Sequence, residues 1–198
     1  MNSLGAITAK LAFATEPEDQ VRLLSVHLAL LDPEEREATA RMLAEPPQVR
    51  RILLSALRNL AREQIGEELY ALSQDFVGDA YETIALVWQP SRLHNRAPTT
   101  QDIWQGLAEH GPSKLLPVAR DWLDASDAEG RHILIRVLTG TFRSPVPRHV
   151  LDKAFEIGNV RYRPEQEIRP PATRSQTDRK STRLNSSHSS VSRMPSSA

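Results

Sequence analysis

Residues 71–88, "ALSQDFVGDAYETIALVW", decide how the chain folds. Leu72, Phe76 and Val77 lie on one helical face, and Tyr81, Ile84, Ala85 and Trp88 lie on another. Both halves keep the 3.6-residue period of an amphipathic helix, and neither alternates as a strand would. Between them stands Gly78-Asp79. Glycine ends a helix and aspartate caps the next, with Glu82 three residues on to complete a capping box. One potential long helix is therefore expected to become two, joined at a tight corner whose residues shape the scaffold.

The same period and punctuation extend in both directions. Amphipathic segments fall at 3–14, 17–31, 33–44, 49–62, 65–76, 79–88, 99–110, 113–125, 127–139 and 147–157. Asp32-Pro33, Pro46-Pro47, Pro90, Pro98-Thr99, Gly111-Pro112, Asp127 and Gly140 separate them, as helix-start and helix-stop residues should. Segment lengths are irregular and share no consensus, which argues against a regular solenoid. The expectation is an all-α fold: a single compact, irregular domain of about ten helices over residues 1–158. From residue 159 the chain turns polar and proline-bearing, too poor in apolar anchors to order itself. Residues 159–198 are expected to form a disordered tail. Its last stretch, "STRLNSSHSSVSRMPSSA", resembles translated adapter sequence and is expected to be non-native.

Composition excludes several function classes. Zero cysteines rule out disulfides, cysteine zinc sites and thiol catalysis, and they suit a reducing cytosol. No uncharged apolar run approaches the roughly 18 residues that span a bilayer. Glu16, Glu18 and Asp19 leave no room for a signal-peptide form. A cytoplasmic protein without a membrane partner is expected. The six histidines show no metal-ligand spacing, and no dinucleotide, P-loop or nucleophile-elbow motif is present. Asp75 and Asp79 could be read as a carboxylate pair, yet a helix end and a cap explain them more simply. No catalytic residue and no metal is assigned.

The basic residues say more. Net charge is zero over the whole chain, but residues 1–158 carry 17 Lys+Arg against 22 Asp+Glu, and residues 159–198 carry 8 against 3. Within the acidic part stand three acid-free blocks. The first, "VRRILLSALRNLAR" at 49–62, places Ile52, Leu53, Ala56, Leu57 and Leu60 on one helical face and Arg51, Arg58 and Arg62 on the other. A second runs from Gly130 to Leu151 with Arg131, Arg136, Arg143 and Arg148, His132 and Arg136 sharing a face at i, i+4. Arg92 and Arg96 lie in the third, at 83–101. Charged faces are the usual exterior of a helix, but three such blocks point toward a polyanion. The sharpest is "LTGTFRSPVPRHV": Gly140 ends one helix, Arg143 lies in the connection, and Pro147 suits the first turn of the next. A loop entering a helix N-terminus offers amides and a positive dipole end to a phosphate.

"LYALSQDFVGDAYETIALVW" closely resembles the L-S-x-D-[YF]-V-G-D-x-x-E-T-[VI]-A-L-x-W signature in the N-terminal DNA-binding domain of bacterial ATP-dependent DNA ligases. "SKLLPVARDWLDASDAEGRHILIRVLTG" is similar to that domain's S-K-x-x-L-P…R-W-L-D…D-x-x-G-R…L-x-x-L-[VL]-T-G region, and "KLAFATEPEDQVRLLSVHLALLDPEER" to its opening. The resemblance covers roughly residues 5–158. It implies an all-helical domain that grips nicked duplex DNA from the minor-groove side, for repair or recombination. An adenylation domain and an OB-fold domain would complete the ring around the nick. Ligases form a lysyl-adenylate at K-x-D-G; Lys10, Lys114, Lys153 and Lys180 are the only lysines here, and none begins that motif. The resemblance thus implies a fragment without its catalytic domain, inactive alone and with no cofactor of its own, ATP and Mg²⁺ belonging to the full-length ligase. One departure bears on the loop. The family's T-G-x-[LF]-R-[IVL]-G-[VL] reads Thr139-Gly140-Thr141-Phe142-Arg143-Ser144-Pro145-Val146 here, and Pro145 has no amide to offer a phosphate. The expected DNA-contacting set is Arg51, Arg58, Arg62, Arg136, Thr139, Gly140, Arg143 and Arg148, acting in a monomer on duplex phosphates. The alternative is a helical protein-interaction module without a nucleic-acid role, its arginines merely solvated.

Overall fold

The Gly78-Asp79 corner forms. In the computed structural model, which describes residues 3–48, 51–91 and 96–160, Gly78 takes a left-handed conformation (φ 81°, ψ −23°) that closes one helix. Asp79 opens the next, its side chain accepting the amides of Tyr81 and Glu82. The reciprocal half of the expected capping box, Glu82 accepting the Asp79 amide, does not form among the described residues; the Thr83 hydroxyl donates separately to the Asp79 carbonyl.

Ten helices and no strand occur among the described residues, as the periodicity requires. They are α1 (Ser3–Leu11), α2 (Pro17–Leu30), α3 (Pro33–Ala44), α4 (Leu54–Ile65), α5 (Glu67–Val77), α6 (Ala80–Val87), α7 (Thr100–Glu109), α8 (Pro112–Ala125), α9 (Ala128–Leu138) and α10 (Arg148–Ile157). Asp32, Asp79, Thr99 and Asp127 all cap as side-chain acceptors, each satisfying amides a helix start leaves bare.

Packing follows from the apolar stripes. Helix α1 touches α2, α3 and α9, and its Leu4 and Ile7 are fully buried, each contributing about 1.5–3 kcal/mol of transfer free energy. On one side α10 lies across α2 and α3, with α7 against α3; on the other, α6 packs on α9, α4 and α5. Helix α8 joins α7 and α9. One contiguous core runs through all of this.

Two buried carboxylates, neither singled out by the sequence, tie the flanks together. Glu35 of α3 accepts the amides of Thr100 and Gln101 at the start of α7, at 2.8 and 2.9 Å. Ser3 of α1 donates to the same carboxylate, and the Ser3, Thr39 and Thr100 hydroxyls bond one another. An acid at a helix N-terminus satisfies bare amides and the dipole together. Asp124 of α8 accepts from Trp88 Nε1 (2.7 Å) and from the Ser91 hydroxyl and amide. Burial alone would raise its pKa, but those donors outweigh it and hold the group below the usual carboxylate range.

The structure corrects three boundaries. Helix α1, expected over 3–14, ends at Leu11 and leaves residues 12–14 outside the helix. Residues 51–53 are not helical, although the 49–62 pattern implies it. The Arg51 and Ile52 amides both donate to the Leu138 carbonyl at the end of α9, so tertiary pairing displaces the helical hydrogen bonds and α4 starts at Leu54. Leu53, expected on the core face, is exposed. At the other end Gly158 does not supply the left-handed residue of α10; Asn159 does, with φ 49°. The Val160 amide returns to the Phe155 carbonyl and its side chain packs on the core, the pattern of a Schellman motif. Asn159 and Val160 therefore belong to the helix end. The rest of the expected tail, 161–198, lies outside the described residues, as do Arg50 and Arg92.

Candidate nucleic-acid interface

The connection from α9 to α10 carries the most pointed expectation, and its backbone explains its shape. Gly140 has φ 69°. The Thr141 amide returns to the Arg136 carbonyl and the Gly140 amide to that of Val137, a Schellman motif that uses glycine's tolerance of the left-handed region. Thr139 is buried; its hydroxyl donates to the Ile135 carbonyl and lies 3.0 Å from that of Thr141. Thr139 and Gly140 thus shape the turn from within. Phe142 and Val146 are both buried and pin the loop on either side of Arg143.

Arg143 itself is exposed. Its guanidinium donates through Nη1 to the Phe142 carbonyl at 2.8 Å, and no carboxylate pairs with it among the described residues. Pro147 sits one residue earlier than expected, as the N-cap of α10, with no side-chain cap hydrogen bond there. Arg148 opens that helix, exposed, with Nε 2.8 Å from Asp152 and a longer contact to the Ala44 carbonyl.

Arg136 stands one turn back on α9 and is held from three sides. Its Nη2 donates to Asp79 Oδ2 at 3.0 Å, its Nε to His132 Nε2 at 2.7 Å, and its guanidinium lies 4.7 Å from the Tyr81 ring centroid. The expected sharing of a face by His132 and Arg136 is thus a direct bond. Burial, then the Arg136 charge, lowers the His132 pKa from its ordinary value, which suits the neutral acceptor this bond needs. Asp79 is pushed upward by burial, but the Glu82 amide, Arg136 and the Tyr81 amide carry it below the usual range.

The expected arginine face of α4 does not form as drawn. Arg51 is only 3% exposed, because the extended 51–53 stretch lies against the end of α9; its pKa is lowered by burial. It cannot belong to a solvated basic face. Arg62 stands 3.2 Å from Glu67 and 5.2 Å from the Tyr70 ring centroid, drawn to α5. Arg58 is partly buried, and its Nε has no hydrogen-bond partner among the described residues.

The fold thus brings Arg136, Thr139, Gly140 and Arg143 together at one end of α9, with the Arg51 backbone beside them. No hydrogen bond or ion pair joins Arg58 or Arg62 to that loop among the described residues. Arg131, in the same acid-free block, has a scaffold role: it donates to the Leu123 carbonyl and, at longer range, to Ala85 and Trp88, closing the carbonyl ends of α8 and α6. No helix among the described residues is long and apolar enough to cross a membrane. Compared with protein-family models and with curated proteins, the chain matches none.

Proposed function

We propose that this chain is the DNA-binding module of an ATP-dependent DNA ligase and holds nicked duplex DNA through its phosphates. One observation carries the reading: an exposed arginine, Arg143, without a carboxylate partner among the described residues, stands on a loop fixed by the buried Phe142 and Val146. An exposed guanidinium on a fixed loop is suited to a phosphate oxygen. The likeness of residues 69–88 and 113–140 to the ligase domain supports the same reading. Arg136 and Arg148, at the two ends of the loop, would add charge, and Arg58 and Arg62 would form a separate patch. Thr139, Gly140 and Arg51 would act through the scaffold. The module would work as a cytoplasmic monomer with little sequence preference, since phosphate contacts carry none. ATP and Mg²⁺ would serve the adenylation domain of the full-length enzyme.

The test is fluorescence anisotropy on a nicked duplex across a salt series. Binding that weakens linearly in log–log form as salt rises supports the reading. No binding at low salt overturns it. In parallel, labelled ATP with Mg²⁺ should leave no covalent band on denaturing electrophoresis, because no lysine begins K-x-D-G.

A second reading, a helical interaction module without a nucleic-acid role, is favoured by the engagement of the other arginines. Arg62 pairs with Glu67, Arg136 with Asp79 and Arg148 with Asp152, as on ordinary solvated helices. It predicts no salt-dependent duplex binding.

A further inference from the structure

Between Glu63 and Glu82 the chain holds Glu63, Glu67, Glu68, Asp75, Asp79 and Glu82 and not one Lys or Arg. Helix α5 rises from the middle of this acidic block. Its inward side is settled: Tyr70 is buried, and the helix packs on α4 and α6. Its outward side is apolar. Leu69 is 54% exposed, Leu72 68% and Phe76 92%, and the i, i+3, i+7 spacing puts all three on one stripe. At 1.5 Å per residue the stripe is about 10 Å long, two turns of helix. A lone exposed leucine is ordinary; three large apolar side chains in line on an 11-residue helix leave a face without a partner among the described residues. On the helical wheel Glu68 and Asp75 run along one edge of the stripe and Ser73 along the other.

The acids decide what can cover this face. Arg62 relieves Glu67 and Arg136 relieves Asp79. Glu68 and Asp75 beside the stripe make no ion pair among the described residues, and their charge repels duplex DNA and an anionic lipid surface. A second copy docked antiparallel, stripe to stripe, would set Glu68 and Asp75 against their own counterparts, a like-charge juxtaposition. We propose that the outward face of α5 docks a basic amphipathic helix of a partner protein. Its apolar side would lie along Leu69, Leu72 and Phe76, as an amphipathic helix lies in a groove. Its Lys or Arg residues would meet Glu68 and Asp75. Phe76, the most exposed of the three, is the anchor. The inference is independent of the DNA reading, since it uses none of the arginines assigned to phosphate.

The experiment measures binding of two labelled synthetic peptides to the full chain. Both have one leucine-rich helical face; the opposite face is lysine-rich in one and glutamate-rich in the other. The basic peptide should bind saturably and the acidic one should not. Leu72→Ser/Phe76→Ser, at exposed positions, should weaken binding at least tenfold with an unchanged melting temperature. Glu68→Lys/Asp75→Lys should reverse the preference between the peptides. Failure of the basic peptide to bind, or equal binding by the serine variant, overturns the proposal. Sedimentation showing self-association that Phe76→Ser abolishes also overturns it, assigning the face to a second copy.

Discussion

Arg136 Nη2 donates to Asp79 Oδ2 at 3.0 Å, bridging α9 and α6, while Asp79 Oδ1 caps α6 through the Tyr81 and Glu82 amides. One carboxylate therefore fixes both the start of a helix and its docking on a neighbour. The corner at Gly78-Asp79 is explained by this double use and requires no ligand.

Asp79→Ala should destabilise the fold by about 1–2 kcal/mol, the range for losing a cap, and lower the melting temperature by several degrees. Asp79→Asn keeps an acceptor but not the charge. Because the folded pKa of Asp79 is depressed, its charge stabilises above the unfolded carboxylate value of about 4, and that contribution is lost as pH falls through the folded pKa. The difference between wild type and Asp79→Asn in chemical denaturation should therefore shrink below about pH 4. A gap that stays constant to pH 2.5 would refute the ion pair's contribution.

His132 makes the opposite end of the pH range informative. Its pKa is lowered by burial and by Arg136, so in the window just below about 6.5 the unfolded state binds more protons than the folded one, and stability falls with falling pH. His27, lowered by burial and then by Lys10, acts in the same direction. Wild type should lose melting temperature between pH 7.5 and 5.5, and His132→Gln should lose less. Identical slopes for the two proteins would show that His132 is not held below its ordinary pKa in the folded protein.

The packing of α7 on α8 has no slack at one point. A Cβ added at Gly106 would meet Trp122 Cη2 at 2.4 Å and Cζ2 at 2.9 Å. Overpacking of this kind costs about 1–3 kcal/mol. Gly106→Ala should therefore lower stability by that amount, and Trp122→Phe, which removes the outer part of the indole, should relieve much of it. Additive effects in the double variant would contradict a direct clash.

How much of this was legible in the sequence depends on where each hydrogen bond ends. The ten helices could be read because their stripes, caps and prolines are local. Asp32, Asp79, Thr99 and Asp127 bond amides two or three residues away. Residues 51–53 could not: their period is helical, but the Arg51 and Ile52 amides end on Leu138. Glu35 is a first-turn acid of α3, and nothing in its spacing shows that it reaches the amides of Thr100 and Gln101. The candidate site divides likewise. The turn at Thr139-Gly140 and the Arg136–His132 pairing follow from nearby spacing, whereas the burial of Arg51 depends on the distant end of α9.

Arg51 and Arg143 consequently separate two effects that a basic-patch reading would merge. Arg143→Ala removes an exposed charge from a loop held by Phe142 and Val146, so the fold should lose less than about 0.5 kcal/mol, as for a surface change. Duplex affinity should fall at every sequence tested, and the salt slope should drop by about one unit, the signature of one phosphate contact. Arg51→Ala removes a side chain that is 3% exposed; it should lower the melting temperature while leaving the salt slope of the folded protein unchanged. Arg58→Ala/Arg62→Ala tests the separate α4 patch, and a salt slope reduced there but not by Arg143→Ala would move the interface to α4. Anisotropy on nicked duplex between 50 and 200 mM salt (about the range over which such contacts are read), with melting curves for each variant, supplies every comparison. If Arg143→Ala binds with wild-type affinity and slope at low salt, the loop is ordinary surface and the proposed interface is wrong.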